Sequence, residues 1–206
     1  IESHCNNSSI CKIIDFGLQQ FPSHFQEFGI GAYRPLIIQH GLNASRCVIF
    51  LNPDRNLTGF VNHLQLHLPM TIAQRNGLAG WVLQSSGMTG AASTSTFTHP
   101  KMFSYFDSSA QKFYFHRMIS GNRLVLCNNE PPLLQERIML PWIQCALIRD
   151  CISPVGTQVM DCNRHQHFRK PRYLYSGCHM QDVSVLNILL GLTFRFDASS
   201  YTVDSK

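Results

Sequence analysis

The stretch Cys178-His179-Met180-Gln181-Asp182 sets an imidazole and a carboxylate three residues apart, just ahead of a strongly apolar run from Val183 to Leu192. At the mouth of a helix such a pair has the makings of a catalytic site, with His179 as metal ligand or leaving-group contact and Asp182 as general base. The simpler reading makes Asp182 a residue that serves the helix end. A second segment, Thr98-His99-Pro100-Lys101-Met102, puts a histidine and a lysine at a proline-marked helix start. Cationic side chains and free backbone N–H groups together suit phosphate oxygens or a substrate hydroxyl; as a bland surface turn the segment needs only Thr98 as a cap. A third, Asn52-Pro53-Asp54, closes the apolar run Cys47 to Leu51. Asp54 there is the candidate ligand for a hard divalent cation bridging a diphosphate, with Asn52 as a substrate contact beside it, although Asn-Pro-Asp is also a favoured turn. The fourth segment is cationic: Arg164, His165, His167, Arg169, Lys170 and Arg172 form an anion-facing loop or a solvated one. No nucleophile elbow, P-loop or His-Glu-x-x-His signature occurs.

These residues need elements to hold them. The continuous apolar run Cys47 to Leu51 reads as a central, fully buried strand of a parallel sheet, and ligands gather at the carboxyl ends of such strands. Further strands are expected at Cys11 to Phe16, Gly80 to Ser86 and Arg123 to Cys127. Helices are expected at Ala32 to His40 (with Gly41 just past the end), Met70 to Asn76, Pro100 to Phe106, Leu133 to Arg149 and Asp182 to Leu192. The Ser/Thr/Gly stretch from Ser85 to Thr98 reads as a loop or small-residue turn. Leu134, Ile138, Trp142 and Cys145 line one face of the fifth of these segments at helical spacing. Short apolar strands alternating with helices predict an α/β fold, a mostly parallel sheet flanked by helices. The last helix is too apolar for the surface, so it must pack on the sheet. That places Asp182 beside the carboxyl end of the strand Cys47 to Leu51, in one pocket with Asn52 or Asp54. On that view Asp182→Asn abolishes activity and leaves the melting temperature nearly unchanged.

The chain of 206 residues is one domain, 44% hydrophobic and 14% charged, with a formal net charge of +5. That composition excludes general disorder, and the lack of a long basic tract argues against dedicated nucleic-acid binding. The longest apolar stretch, Leu186 to Leu192, is broken by Asn187 and Gly191 and is too short to span a membrane. There are eight cysteines, and four fall in a C-terminal segment from Cys145 to Cys178. Disulfides are expected among Cys145, Cys151, Cys162 and Cys178. Six residues along a continuous helix rise about 9 Å, beyond disulfide reach. Either the helix therefore ends near Arg149, or Cys145 and Cys151 each pair with Cys162 or Cys178. The short Cys-x2-Cys pairs that zinc favours are missing. Asn6, Asn7, Asn43 and Asn56 each begin an N-glycosylation sequon. Cysteines, sequons and low charge together point to the secretory pathway.

Several segments also resemble, in order and spacing, a mostly uncharacterised family of secretory-pathway glycosyltransferase-like proteins abundant in nematodes and other invertebrates. Phe21-Pro22-Ser23-His24-Phe25 followed by Ala32-Tyr33-Arg34-Pro35-Leu36 is similar to its Phe-Pro-x-His and Ala-(Trp/Tyr)-(Lys/Arg)-Pro-Leu region. Val48-Ile49-Phe50-Leu51-Asn52 stands where the family shows Val-Leu-Trp-Leu-Asp. Thr98-His99-Pro100-Lys101-Met102, Trp142-Ile143-Gln144-Cys145-Ala146-Leu147, Cys151-Ile152-Ser153-Pro154 and the segment from His179 to Asn187 are likewise similar to family motifs.

The resemblance covers about residues 11 to 200. It implies a GT-A-type fold, transfer of a sugar from a nucleotide-sugar to a glycan or protein acceptor, Mn2+ as the diphosphate-bound cation, and a Golgi-lumen or secreted location with a membrane anchor upstream. The family's first nucleotide-binding strands have no counterpart ahead of Cys11 to Phe16, so an N-terminally truncated domain is expected. The chain departs from the pattern at Asn52, an uncharged residue in place of aspartate, and at Val183 in place of glutamine. These departures fit the alternative reading, a catalytically silent secreted glycoprotein that keeps the fold as a binding module. A third reading, a zinc-stapled intracellular domain, would show free thiols.

Overall fold

The structure, a computed structural model, describes residues 12–52, 66–83, 92–130, 132–157 and 171–203. Asp54, Asn6, Asn7, Asn56, Cys162 and the basic run as far as Lys170 lie outside these residues.

The fold is α/β. A mixed sheet has the order β1 (Cys47–Leu51), β3 (Ile119–Cys127), β2 (Leu78–Val82), β4 (Thr202–Val203). Both β1 and β2 run antiparallel to β3, and β2 and β4 are parallel. This corrects two expectations: the sheet is not mostly parallel, and Cys47–Leu51 is not its centre. An apolar run reports burial; it carries no information about the direction of its neighbours. The central place goes to β3, where Leu124, Val125, Leu126 and Cys127 are fully buried. On β1, Val48 and Phe50 turn to the main core, while Ile49 on the other face is 41% exposed. No strand flanks the outer edge of β1 among the described residues. Cys47 is apolar for a different reason. It lies directly opposite Cys127 and forms a disulfide with it, at a Cα separation of 4.1 Å.

The strand alternation divides the core. Leu78, Leu124 and Leu126 face a large cluster built from α1 (Tyr33–Ala44), the helix around α4 (Leu140–Leu147) and α6 (Gln181–Thr193). Ala79, Val125 and Cys127 face α2 (His67–Asn76) through Ala73. The short α3 (Pro100–Ser104) adds Met102 and Phe103 to the large cluster. The order is helix, sheet, helix, as apolar surface on both faces of β3 requires. Of the strand expected at Cys11 to Phe16, Cys11 lies outside the described residues, residues 12–16 have no regular structure, and Ile13 and Ile14 stay half exposed with no strand partner among the described residues. The strand expected from Gly80 begins at Leu78 instead.

Helix α1 corrects the reading of Gly41, which lies inside the helix and not beyond it. The helix ends at Ser45, whose hydroxyl donates to the Gly41 carbonyl at 2.9 Å. A glycine fits because a Cβ there would lie 2.9 Å from Val48 Cγ2 on β1. Ordinarily alanine in a helix interior gains about 1 kcal/mol over glycine. Here Gly41→Ala is expected to destabilise by about 1–3 kcal/mol, because stiff, β-branched Val48 must move; equal or higher stability in urea denaturation would contradict this close approach.

The expected helix from Leu133 is present, with Leu134, Ile138, Trp142 and Cys145 all buried. Its turn Gln135–Met139 is widened into a π-type turn. Pro141 follows, and its ring would strike the carbonyl four residues back, at Arg137. In the widened turn Leu140 N donates to Gln135 O, five residues back. At Ile148 the backbone turns extended (φ −108°, ψ 110°) before α5 (Arg149–Ile152). The break brings Cys151 back to Cys145, and the two are disulfide-bonded at a Cα separation of 5.3 Å. Of the two routes open to these cysteines, the helix end near Arg149 is the one taken. Cys178 is disulfide-bonded too. Among the described residues no helix is long and apolar enough to cross a membrane.

Candidate functional site

Helix α6 is buried on every side from Gln181 to Gly191. Its polar residues must therefore find partners inside the protein. Asn187 holds the start of β3 with its whole amide: Oδ1 accepts from Ile119 N at 2.8 Å, and Nδ2 donates to Ile119 O and Val183 O. The Ser184 hydroxyl donates to Phe97 O at 2.8 Å. These anchors fix the rotation of the helix and so the direction of its N-terminus.

Asp182, in the first turn, is buried and pairs with the guanidinium of Arg34, itself only 6% exposed, from the first turn of α1. Both charges are pressed between glycines. A Cβ on Gly31, whose φ of 69° is left-handed, would lie 2.8 Å from Asp182 Cγ. A Cβ on Gly121 of β3 would lie 3.0 Å from Arg34 Nη1. Arg34 Cζ also sits 5.8 Å from the centroid of the Phe50 ring on β1. Two residues past Phe50, Asn52 N donates to Asn122 O at 2.8 Å and Asn52 Nδ2 to Asn122 Oδ1 at 3.3 Å. Through Arg34, then, Asp182 stands beside the carboxyl end of β1. Burial pushes its carboxyl up to about 6, against the pull of Arg34. The residue before it, Gln181, has a positive φ of 35°, unusual for a side-chain-bearing residue. Gln181 Nε2 and Arg34 Nε are buried with no hydrogen-bond partner among the described residues.

His179 belongs to a different cluster. It lies just outside the helix, fully buried, and its ring is committed on both sides. Nδ1 accepts from His99 N at 3.1 Å, and Nε2 donates to Ile152 O at 3.1 Å. Those bonds select the neutral Nε2–H tautomer. The His99 ring packs edge-on against Tyr175 at 5.4 Å and against His179 at 6.3 Å; its Nδ1 accepts from Lys101 N. Burial, with the Lys101 charge beside it, lowers the His99 pKa. Lys101 is exposed, with Nζ 3.5 Å from Val155 O. The sequence candidates thus divide into Asp182, paired with Arg34, Asn52, bonded to Asn122, and a His179 group with His99 and Lys101.

Asn43 is exposed near the end of α1, with its amide oxygen accepting from Gln39. Among the described residues, no three of His, Cys, Asp or Glu gather as metal ligands; Asp54, the expected ligand, lies outside them. Arg34 entered the sequence reading only as part of a family motif. Its role as the partner of Asp182, 148 residues away in sequence, has no local signal. The ion pair also changes an expectation. Asp182→Asn would leave a buried guanidinium facing a neutral amide, so the melting temperature should fall along with any activity.

A buried histidine also stands outside the sequence candidates. His116 Nδ1 is 2.8 Å from Thr94 Oγ1, and Nε2 is 2.6 Å from the Tyr201 hydroxyl. Burial holds both His116 and His179 at about 4, below the ordinary 6.5. The unfolded chain therefore binds more protons than the folded one between about pH 6.5 and 4, and stability falls as pH falls through that window, by about 3 kcal/mol per histidine. Asp182, raised from 3.8, acts oppositely over part of the window. Two histidines outweigh one carboxyl, so a net loss of about 3 kcal/mol is expected. Urea denaturation at pH 7 and pH 4.5 checks it; equal midpoints would contradict neutral, buried imidazoles.

Comparisons with family models, with curated proteins and with solved structures find no match for this chain.

Proposed function

We propose that this chain is a glycosyltransferase-like domain of the secretory pathway, resident in the Golgi lumen or secreted, that transfers a sugar from a nucleotide-sugar to a glycan or protein acceptor. The observation that carries the reading is the buried carboxylate of Asp182, held by Arg34 in the first turn of a buried helix. A carboxyl near 6 is suited to receive a proton from an acceptor hydroxyl at neutral pH. The strained Gln181 and the buried, unpartnered Gln181 Nε2 and Arg34 Nε are the kind of unspent polar capacity that collects at ligand sites. Disulfides Cys47–Cys127 and Cys145–Cys151 support an oxidising compartment. The GT-A-like architecture, an Mn2+-bridged diphosphate at Asp54 and Asn52, and the His99 and Lys101 contacts belong to this reading through the family resemblance.

A second reading, a silent member that keeps the fold for binding, is favoured by His179. Both of its ring nitrogens serve structure, so it has none to offer a substrate. Ligand-induced stabilisation separates the two. With UDP or GDP and Mn2+ at ten times the dissociation constant, a domain of this size should gain about 1.4 kcal/mol and melt about 3–6 °C higher. No shift with either nucleotide, from a chain shown to unfold cooperatively, would remove the transferase reading and leave the binding one.

A further inference from the structure

Phe115 is 86% exposed, yet it is not isolated. The Tyr173 ring lies 5.8 Å away, and Tyr114 packs on Tyr173 at 4.5 Å with a tilt of 32°. The aromatic trio joins two segments far apart in sequence, and both are held from below. The buried hydroxyls of Ser95 and Thr96 donate to Tyr173 O at 2.7 Å and Arg172 O at 2.5 Å. Ser176 N donates to Thr96 O at 2.9 Å. On the other segment, the ring of His116 is fixed between Thr94 and Tyr201, and Arg117 forms an isolated β-bridge with Ser93. Phe115 and Arg117 are both exposed, while His116 and Met118 are buried. Arg172, the last member of the basic run, is exposed next to Tyr173. Neither guanidinium has an ion-pair partner among the described residues. A hydrogen-bonded floor thus presents the exposed Phe115 ring and two half-buried tyrosines next to arginines without an ion pair among the described residues.

We infer that this patch, Tyr114, Phe115 and Tyr173 with Arg117 and Arg172, is a binding surface for an acidic glycan bearing sulfate or carboxylate groups. A pyranose offers a face of C–H bonds, which packs on the negative face of an aromatic ring. Guanidinium groups take sulfate or carboxylate oxygens through paired N–H bonds, and their planar fork suits that task better than an ammonium. A nucleic-acid strand would use the same pairing of ring and cation. The two disulfides decide between them, because an oxidising compartment holds acidic glycans in quantity and nucleic acid scarcely at all. The patch shares no residue with the Arg34 and Asp182 site and does not rest on the transferase reading.

The test measures binding of a size-defined heparin oligosaccharide at about 0.15 M salt, with a single-stranded oligonucleotide of equal charge alongside. Phe115→Ala removes a side chain that sits in water, so the melting temperature should stay unchanged while heparin affinity drops about tenfold. Arg117→Ala with Arg172→Ala should weaken binding further and flatten its salt dependence. Failure of the unmodified chain to bind heparin would overturn the inference. So would binding that Phe115→Ala leaves intact, or an oligonucleotide that binds as tightly as heparin.

Discussion

Arg34→Met is expected to cost about 3–5 kcal/mol of folding stability at pH 7, the usual penalty when one partner of a buried ion pair is removed and the other charge is left stranded. Asp182 is the stranded charge: it is buried, with the backbone of Gly31 pressed against it and no room for a compensating side chain. The loss should depend on pH in a defined direction. Without Arg34 the Asp182 carboxyl, already at about 6, loses the group that pulls its pKa down and moves higher. The folded variant then binds a proton that the unfolded chain releases, so its stability falls as pH rises from about 5 towards 8. Arg34→Met combined with Asp182→Leu should recover most of the loss, because an apolar pair of similar size replaces two desolvated charges. Urea denaturation of the parent, the single and the double variant at pH 5.5 and 8 measures all of this. A single variant as stable as the parent at pH 8, or a double variant no better than the single, would show that the pair is not the buried clamp described.

The disulfides should differ in what they contribute. Cys47–Cys127 closes a loop of sequence separation 80 and Cys145–Cys151 one of separation 6. On the chain-entropy account, restricting the unfolded state is worth about 4.5 kcal/mol for the longer loop and about 2 kcal/mol for the shorter. The Cys47→Ser and Cys127→Ser double variant should therefore lose about twice as much stability as the Cys145→Ser and Cys151→Ser one. The structure adds to the difference. The first bridge ties an edge strand, supported by one neighbour among the described residues, to the centre of the sheet. The second only closes a helix break whose flanking residues Ala146 and Ile152 are already buried. Unfolding midpoints of the two double variants provide the check, and a reversed order would reject the account.

The elements most legible in sequence were those whose signal is local and long. Leu134, Ile138, Trp142 and Cys145 recur at helical spacing over several turns, and the face they mark is the buried one. The apolar segment after Asp182 was legible for the same reason: a helix without a polar face has nowhere to be except inside. Gly41 is ambiguous in sequence because a glycine looks the same whether it ends a helix or lets a strand come close; only Val48 distinguishes the two. A spacing of three suggests that His179 and Asp182 act as a pair. That spacing places two side chains on one face only when both lie within a helix, and α6 begins at Gln181. His179 therefore turns to Ile152 and His99, while Asp182 turns to Arg34.

The α/β class, the buried helices, the strand at Cys47 to Leu51, the disulfide bonding of Cys145, Cys151 and Cys178 and the place of Asp182 in the first turn of a helix were legible in local sequence. Tertiary structure decided the rest: the antiparallel pairing that moves β1 to the edge, the bridge from Cys47 to Cys127, the partnership of Arg34 with Asp182 and the clustering of Tyr114, Phe115 and Tyr173. Burial and periodicity are properties of a residue and its near neighbours, so they are written locally. Strand direction and the pairing of charges or rings join segments tens of residues apart or more, and they are set only when the chain packs.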